Sequence, residues 1–195
     1  MVDSRTRVTA ASIVGFILLC GCERTEDNIG AGASPSASRA PHAGAFPNRL
    51  NPGNDGTTYE PCTGSNEHAV QHLGWDWGSR RDAALVDKQT ARGCVWVDSK
   101  VGSVWSVSQT VANSPSIAAF KQSNPSFSWH PFTTVMDRPA AVFSTSDSSC
   151  TVRVQSQRAG VSTTVDNFED RTPPTSEICA RAIAFTKATI SRMPE

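Results

Sequence analysis

No apolar run in this 195-residue chain reaches the roughly 20 residues that a membrane-spanning helix needs. No block of like charge is present either, and 18 basic residues balance 18 acidic ones. That balance leaves no electrostatic footprint for nucleic acid and no polybasic patch or acidic tail. A Gly-x-Ser-x-Gly elbow, a glycine-rich phosphate loop and a His-Glu-x-x-His helix are all missing. With them go the usual signatures of a serine hydrolase, a nucleotide-binding enzyme and a zinc peptidase. There is no Cys-x-x-Cys pair and no internal repeat.

What is there begins with a short leader. Arg5 and Arg7 precede 12 uncharged residues, Val8 to Leu19. This length suits the apolar core of a signal peptide rather than a span. The run closes on Leu19-Cys20-Gly21-Cys22, a lipobox in which small residues precede a cysteine thiol that can take a diacylglyceryl group. Residues 1–21 are therefore expected to be removed and Cys22 to become a lipidated N-terminus on the extracytoplasmic face of the cell membrane. Each buried methylene contributes about 0.8 kcal/mol, so two or three acyl chains hold stably where one does not.

Six cysteines are present. Cys20 leaves with the leader and Cys22 carries the lipid. Cys62, Cys94, Cys150 and Cys179 remain, an even number that reads as two disulfides in an exported domain, with three possible pairings. A four-cysteine zinc site would favour close pairs, which are lacking. Neighbours in sequence are expected to pair, Cys62 with Cys94 and Cys150 with Cys179, each bridge tying a helix to a strand of its own half.

Residues 22–58 form the predicted tether. Gly, Ala, Ser or Pro fills 18 of the 36 positions from 23 to 58. Such a segment buries too little apolar surface to offset its ordering entropy, and its root-mean-square reach is roughly 30–35 Å.

Residues 59–195 are expected to form one domain. Ser65 or Asn66 can cap a short helix that Gly74 stops. Cys94 to Val97 reads as a strand. From Ser103 to Val111 apolar and polar residues alternate, so the two make a hairpin. Ser114-Pro115 predicts the start of a second helix, ended at Asn124-Pro125. Ala140–Ser144, Cys150–Gln155 and Val161–Asp166 are the next three strands. A last helix runs from Thr175 to Arg192, with Ile178, Ala182, Phe185 and Thr189 on one face. The order α-β-β-α-β-β-β-α predicts an α+β fold, with a largely antiparallel sheet of about five strands packed with helices.

Candidate chemistry is sparse. His68 and His72 share a helix face at i and i+4, too few ligands for a metal site without a third. His130 lies between Trp129 and Pro131 and reads as a packing residue. Asp147 suits a serine-rich turn. Asp166, Glu169 and Asp170 read as a solvated acidic loop. Of five tryptophans, Trp96 and Trp105 lie on strands and are expected in the core. Trp75, Trp77 and Trp129 lie in predicted loops and are the candidates for a ligand or partner. No catalytic residue, metal ligand or cofactor site is expected.

Pro61-Cys62, Leu73-Gly74, Cys94-Val95-Trp96, Cys150-Thr151-Val152-Arg153-Val154 and Cys179-Ala180-Arg181-Ala182 follow one another behind the lipobox and tether. In this order they resemble a family of mycobacterial and other actinobacterial lipoproteins whose domain has no assigned function. The family's Asp-Pro-Cys opening is Glu60-Pro61-Cys62 here. The resemblance implies an envelope lipoprotein and brings no catalytic residues. The element order is also similar to the PsbP/Mog1-like sandwich, an analogy of fold alone. Three functions are compatible with these features: a non-catalytic binding or accessory lipoprotein engaging an envelope ligand or a membrane-protein partner, a carrier of a lipid or other apolar molecule, and an envelope hydrolase.

Overall fold

The computed structural model describes residue 46 and residues 49–84, 89–169 and 172–195. The leader, Cys22, most of the expected tether and Asp170 lie outside them. No helix among the described residues is long and apolar enough to cross a membrane.

The three strands expected from Ala140 to Asp166 and the Cys94–Val111 hairpin form, but the sheet has eight strands rather than about five. In chain order the elements are α1 (Glu67–His72), β1 (Arg81–Asp82), β2 (Arg92–Val97), β3 (Trp105–Asn113), α2 (Ile117–Ser123), β4 (Ser128–Trp129), β5 (Thr133–Val135), β6 (Arg138–Ser144), β7 (Ser149–Ser156), β8 (Ala159–Asn167) and α3 (Thr175–Thr189). The additional strands β1, β4 and β5 have two or three residues each, too short to show a period of two. All pairings are antiparallel, in the order β1-β2-β3-β8-β7-β6-β4, with β5 also on β6.

Alternate residues face opposite sides of a strand. Trp96 pairs with Val107, Val107 with Val165, and Val165 with Cys150, so these four share one face. α3 covers that face. Its Ile178, Ala182 and Phe185 are completely buried, and Phe185 meets Trp96 at a ring-centroid distance of 5.7 Å. Both disulfides close on this side and have the expected pairing. Cys62 is bonded to Cys94 and Cys150 to Cys179, with Cα–Cα distances of 5.5 and 5.0 Å.

Tyr59, Asn66, Gln109, Thr163 and Thr189 are buried in this core and share a side-chain hydrogen-bond network, as burial favours. The Tyr59 hydroxyl donates to Gln109 Oε1, and Asn66 Nδ2 donates to the Tyr59 hydroxyl over 3.0 Å. Gln109 Nε2 donates to Thr163 Oγ1 at 2.9 Å and Thr189 Oγ1 at 3.0 Å. Burial pushes the Tyr59 phenol well above its usual range. Asn66 thus spends its side chain in the core instead of capping α1. The second helix likewise starts later than Ser114-Pro115 suggests: Ser116 is the N-cap, its Oγ accepting from Ala119 N–H at 3.1 Å.

The packing also takes in residues before 59. Residues 49–58 pack as an arm against the strand ends, with Asn54 and Thr57 buried. Arg92, 2% exposed, holds the arm: it donates to the carbonyls of Asn54, Thr57 and Tyr59 and pairs with Glu60 at 2.6 Å. Gly56 lies so close to Arg158 that a Cβ would come within 2.9 Å of backbone. Hydrogen bonds to the backbone, not apolar side chains, fix this arm, so hydrophobic periodicity cannot reveal it.

Candidate functional site

The other face of the sheet carries Arg153, Ser162 and Thr110, which pair in register across β7, β8 and β3. α2 lies over its β6–β7 end. Phe120 of α2 sits above the Arg153 guanidinium at 3.9 Å, and Phe120, Phe127, Trp129 and Phe143 form an aromatic cluster with centroid distances from 4.8 to 6.4 Å.

The sheet edge opens here. β4 pairs with Phe143 and Ser144 of β6, whereas β5 pairs with Arg138 to Ala140. Between them the chain bows out at His130-Pro131-Phe132, where the His130 N–H still reaches β6, at the Val142 carbonyl over 2.9 Å. Pro131 has no N–H to continue the ladder. A cleft lies on each side of the bow, and His130 and Val142 line both. The larger, about 420 Å³, runs between α2 and the sheet, lined by Ile117, Ala118, Trp129, Phe132, Pro139 and Ala141 with Ser116, Lys121 and Gln155 among them. The smaller, about 360 Å³, lies against α3, lined by Pro131, Thr133, Ser176, Cys179, Ala180 and Ile183. No carboxylate lines either. Concave, largely apolar sites of this volume with a few polar groups are the usual form of small-molecule sites.

The three candidate tryptophans part company. Trp75 is 4% exposed and belongs to the core, so it leaves the ligand set. Its predicted loop carries a one-pair bridge to Asp98 and a backbone hydrogen bond to Val70, which turn the indole inward. Trp77 is half-buried, stacked on Trp96 at 6.0 Å and covered by Arg80 at 4.3 Å. Trp129 is the one that lines a cleft; its Nε1 donates to the Asn124 carbonyl at 3.1 Å, and Lys121 Nζ lies 5.3 Å from its ring. Trp96 and Trp105 are buried, as expected.

His130 matters more than its sequence context suggests. Its Nε2 is 3.2 Å from Ser144 Oγ and 3.9 Å from Cys179 Sγ. A hydrolytic serine–histidine pair would need a carboxylate on the second ring nitrogen. No such hydrogen bond to His130 occurs among the described residues, and Ser144 is itself buried. His130 and the sulfurs of Cys150 and Cys179 lie within 4.8 Å of one another, but those sulfurs are bonded together and do not ligate as thiolates. His68 and His72 stack at 5.8 Å on an exposed helix face. Asp166 is not in a loop: it is half-buried on β8, where burial pushes its carboxyl above the usual range and a hydrogen bond with Ser149 opposes the shift.

No curated protein and no solved structure matches the chain. One family model does, described as protein of unknown function (DUF3558), over residues 17–192. That match takes in β1 to β8, all three helices, both disulfides and both clefts, and the chain belongs to this family.

Proposed function

We propose that this chain is an envelope lipoprotein, held to the membrane by lipid on Cys22, whose disulfide-tied domain binds a small apolar molecule without transforming it. The larger cleft carries this reading. It is concave and apolar, bordered by an aromatic cluster, and Phe132 in its lining is 68% exposed. The lipobox and the resemblance to actinobacterial lipoproteins support the anchor. Helices on both faces of one antiparallel sheet support the likeness to the PsbP/Mog1-like sandwich. The carrier reading is preferred to a partner-docking surface because the site is concave and small.

The test is recovery of the occupant. Protein purified from native membranes without a detergent exchange is extracted with organic solvent and the extract analysed by mass spectrometry. Wild type should yield an apolar molecule in stoichiometric amount. Ala118→Trp, on the exposed wall of α2, should fill the cleft and yield none, with the melting temperature unchanged. An empty wild-type extract, or equal recovery from both proteins, would refute the reading. Cys22→Ala in the same preparation should leave the precursor unlipidated; a lipid-free wild-type N-terminus would refute the anchor.

A further inference from the structure

Arg153 is a buried cation on the α2 side of the sheet. It is 4% exposed, yet among the described residues no carboxylate pairs with it. Its hydrogen bond is to a neutral group, Ser162 Oγ at 2.7 Å, and its Nε is closed to solvent without a partner. Burial of an uncompensated cation is costly, and it pushes the guanidinium down to about 10, still charged at neutral pH. The surroundings are nevertheless shaped for it. Phe120 lies over one side, and at Gly160 a Cβ would come within 2.1 Å of Arg153 Cζ, so any side chain there would displace the guanidinium from this place.

The position of this cation relative to the larger cleft gives it a use. Ala141, which lines the cleft, is the register partner of Arg153 across β6 and β7. Gln155, also in the lining, follows two residues later on the same face. The cleft's inner end therefore lies one strand from Arg153, whose guanidinium is turned toward Ser162 and Gly160 of β8 under Phe120, and Lys121 stands at the cleft wall with no acid among the lining residues. The wall between is α2, which buries none of its seven residues and can yield more easily than α3.

We propose that Arg153 receives the anionic head of the cleft's occupant, so that the site takes a single-chain anionic amphiphile, chain in the cleft and carboxylate or phosphate on the guanidinium. This rests on the reading of the cleft given above. A guanidinium offers either head paired, charge-assisted hydrogen bonds. Occupation requires an outward shift of α2 with Phe120 and a swing of the guanidinium from Ser162 toward β6, and it supplies the counter-charge that the fold withholds.

The experiment is calorimetric titration of the purified full chain with dodecanoate, dodecyl phosphate, dodecanol and dodecyltrimethylammonium, each below its micelle concentration. At least one anion should bind about tenfold or more tighter than dodecanol, the range expected for hydrogen bonds to a charged group, with the cation weakest. Dodecanoate and dodecyl phosphate distinguish the two heads. Arg153→Met should bring the preferred anion to the level of dodecanol, and Arg153→Lys should keep part of the preference. Equal binding of anions and dodecanol by wild type overturns the role of Arg153 and leaves the cleft standing. Binding of none of the four overturns the cleft reading itself. Abolition of the preference by Lys121→Met alone would move the receptor to the exposed lysine and overturn the assignment. The wild-type ranking decides the matter even if the Arg153 variants fail to fold.

Discussion

Under α3 the sheet is closed. Trp96, Val107, Val111, Val152, Val154, Val161 and Val165 are completely buried there, and both disulfides join the same side. The other face is more open: Ser106, Ser108, Thr110 and Thr164 of β3 and β8 are half-exposed there, and α2, over the β6–β7 end, has no buried residue and leaves a cleft between itself and the strands. One sheet thus carries two kinds of surface, a packed side that supplies stability and a loosely covered side that leaves room for a ligand. Binding residues held on a rigid scaffold fit this division.

Large-to-small substitutions test it most directly. Phe185→Ala and Trp75→Ala, on the closed side, should each cost about 3–5 kcal/mol of unfolding free energy in urea titration, the usual range for a buried aromatic. Phe120→Ala, on the open side, should cost only about 1 kcal/mol, the scale of an aromatic contact beyond area burial. A comparable loss at Phe120 would break the comparison. Next in size, loss of either disulfide by paired Cys→Ser substitution should cost about 2–5 kcal/mol.

The two bridges also differ in access, and that sharpens the comparison. Cys179 lines the smaller cleft beside His130, whereas Cys62 and Cys94 are buried and line neither cleft. Brief treatment of the native protein with a dithiol, followed by alkylation and peptide mapping, should label Cys150 and Cys179 before Cys62 and Cys94. Simultaneous labelling would mean that both bridges open only with global unfolding.

The smallest effect is expected at Asp166. Burial raises its folded-state value above the ordinary 3.8. Such a carboxyl favours the fold when protonated, below the unfolded value, and loses that contribution as pH rises through the folded value. Asp166→Asn should therefore raise the unfolding free energy at pH 7, by less than about 1 kcal/mol for a half-hydrated group, and the gain should vanish below pH 3.8. A gain that persists in acid would point to another cause.

How much of this was legible in the sequence depends on what holds each part. Trp105 to Val111 alternates because one side of β3 is buried and the other half-exposed, so its pattern is visible. α3 shows its buried stripe for the same reason. β4 and β5 are held by β6 alone and carry no period of their own, so the sheet edge and its clefts had no signature. Trp129 stood out as a tryptophan in a predicted loop, but the same rule also picked Trp75, whose burial depends on α1 and β2 coming together. Arg153 sits in a Val-Arg-Val alternation that reads as an ordinary solvent-facing position. Its burial comes from α2, distant in sequence, and from the missing side chain at Gly160.

The arm held by Arg92 has a consequence for how the molecule can be handled. Arg49 is paired with Asp82 of β1, so the polypeptide joins the sheet at its β1 edge. The clefts open at the β4–β5 edge, the far end of the strand order. At about 4.8 Å per strand, six spacings put these edges roughly 29 Å apart. A fluorophore or bead coupled at Leu50, exposed beside the β1 edge, should leave small molecules free to enter, whereas coupling at Phe132, which lines the larger cleft, would stand at the entrance.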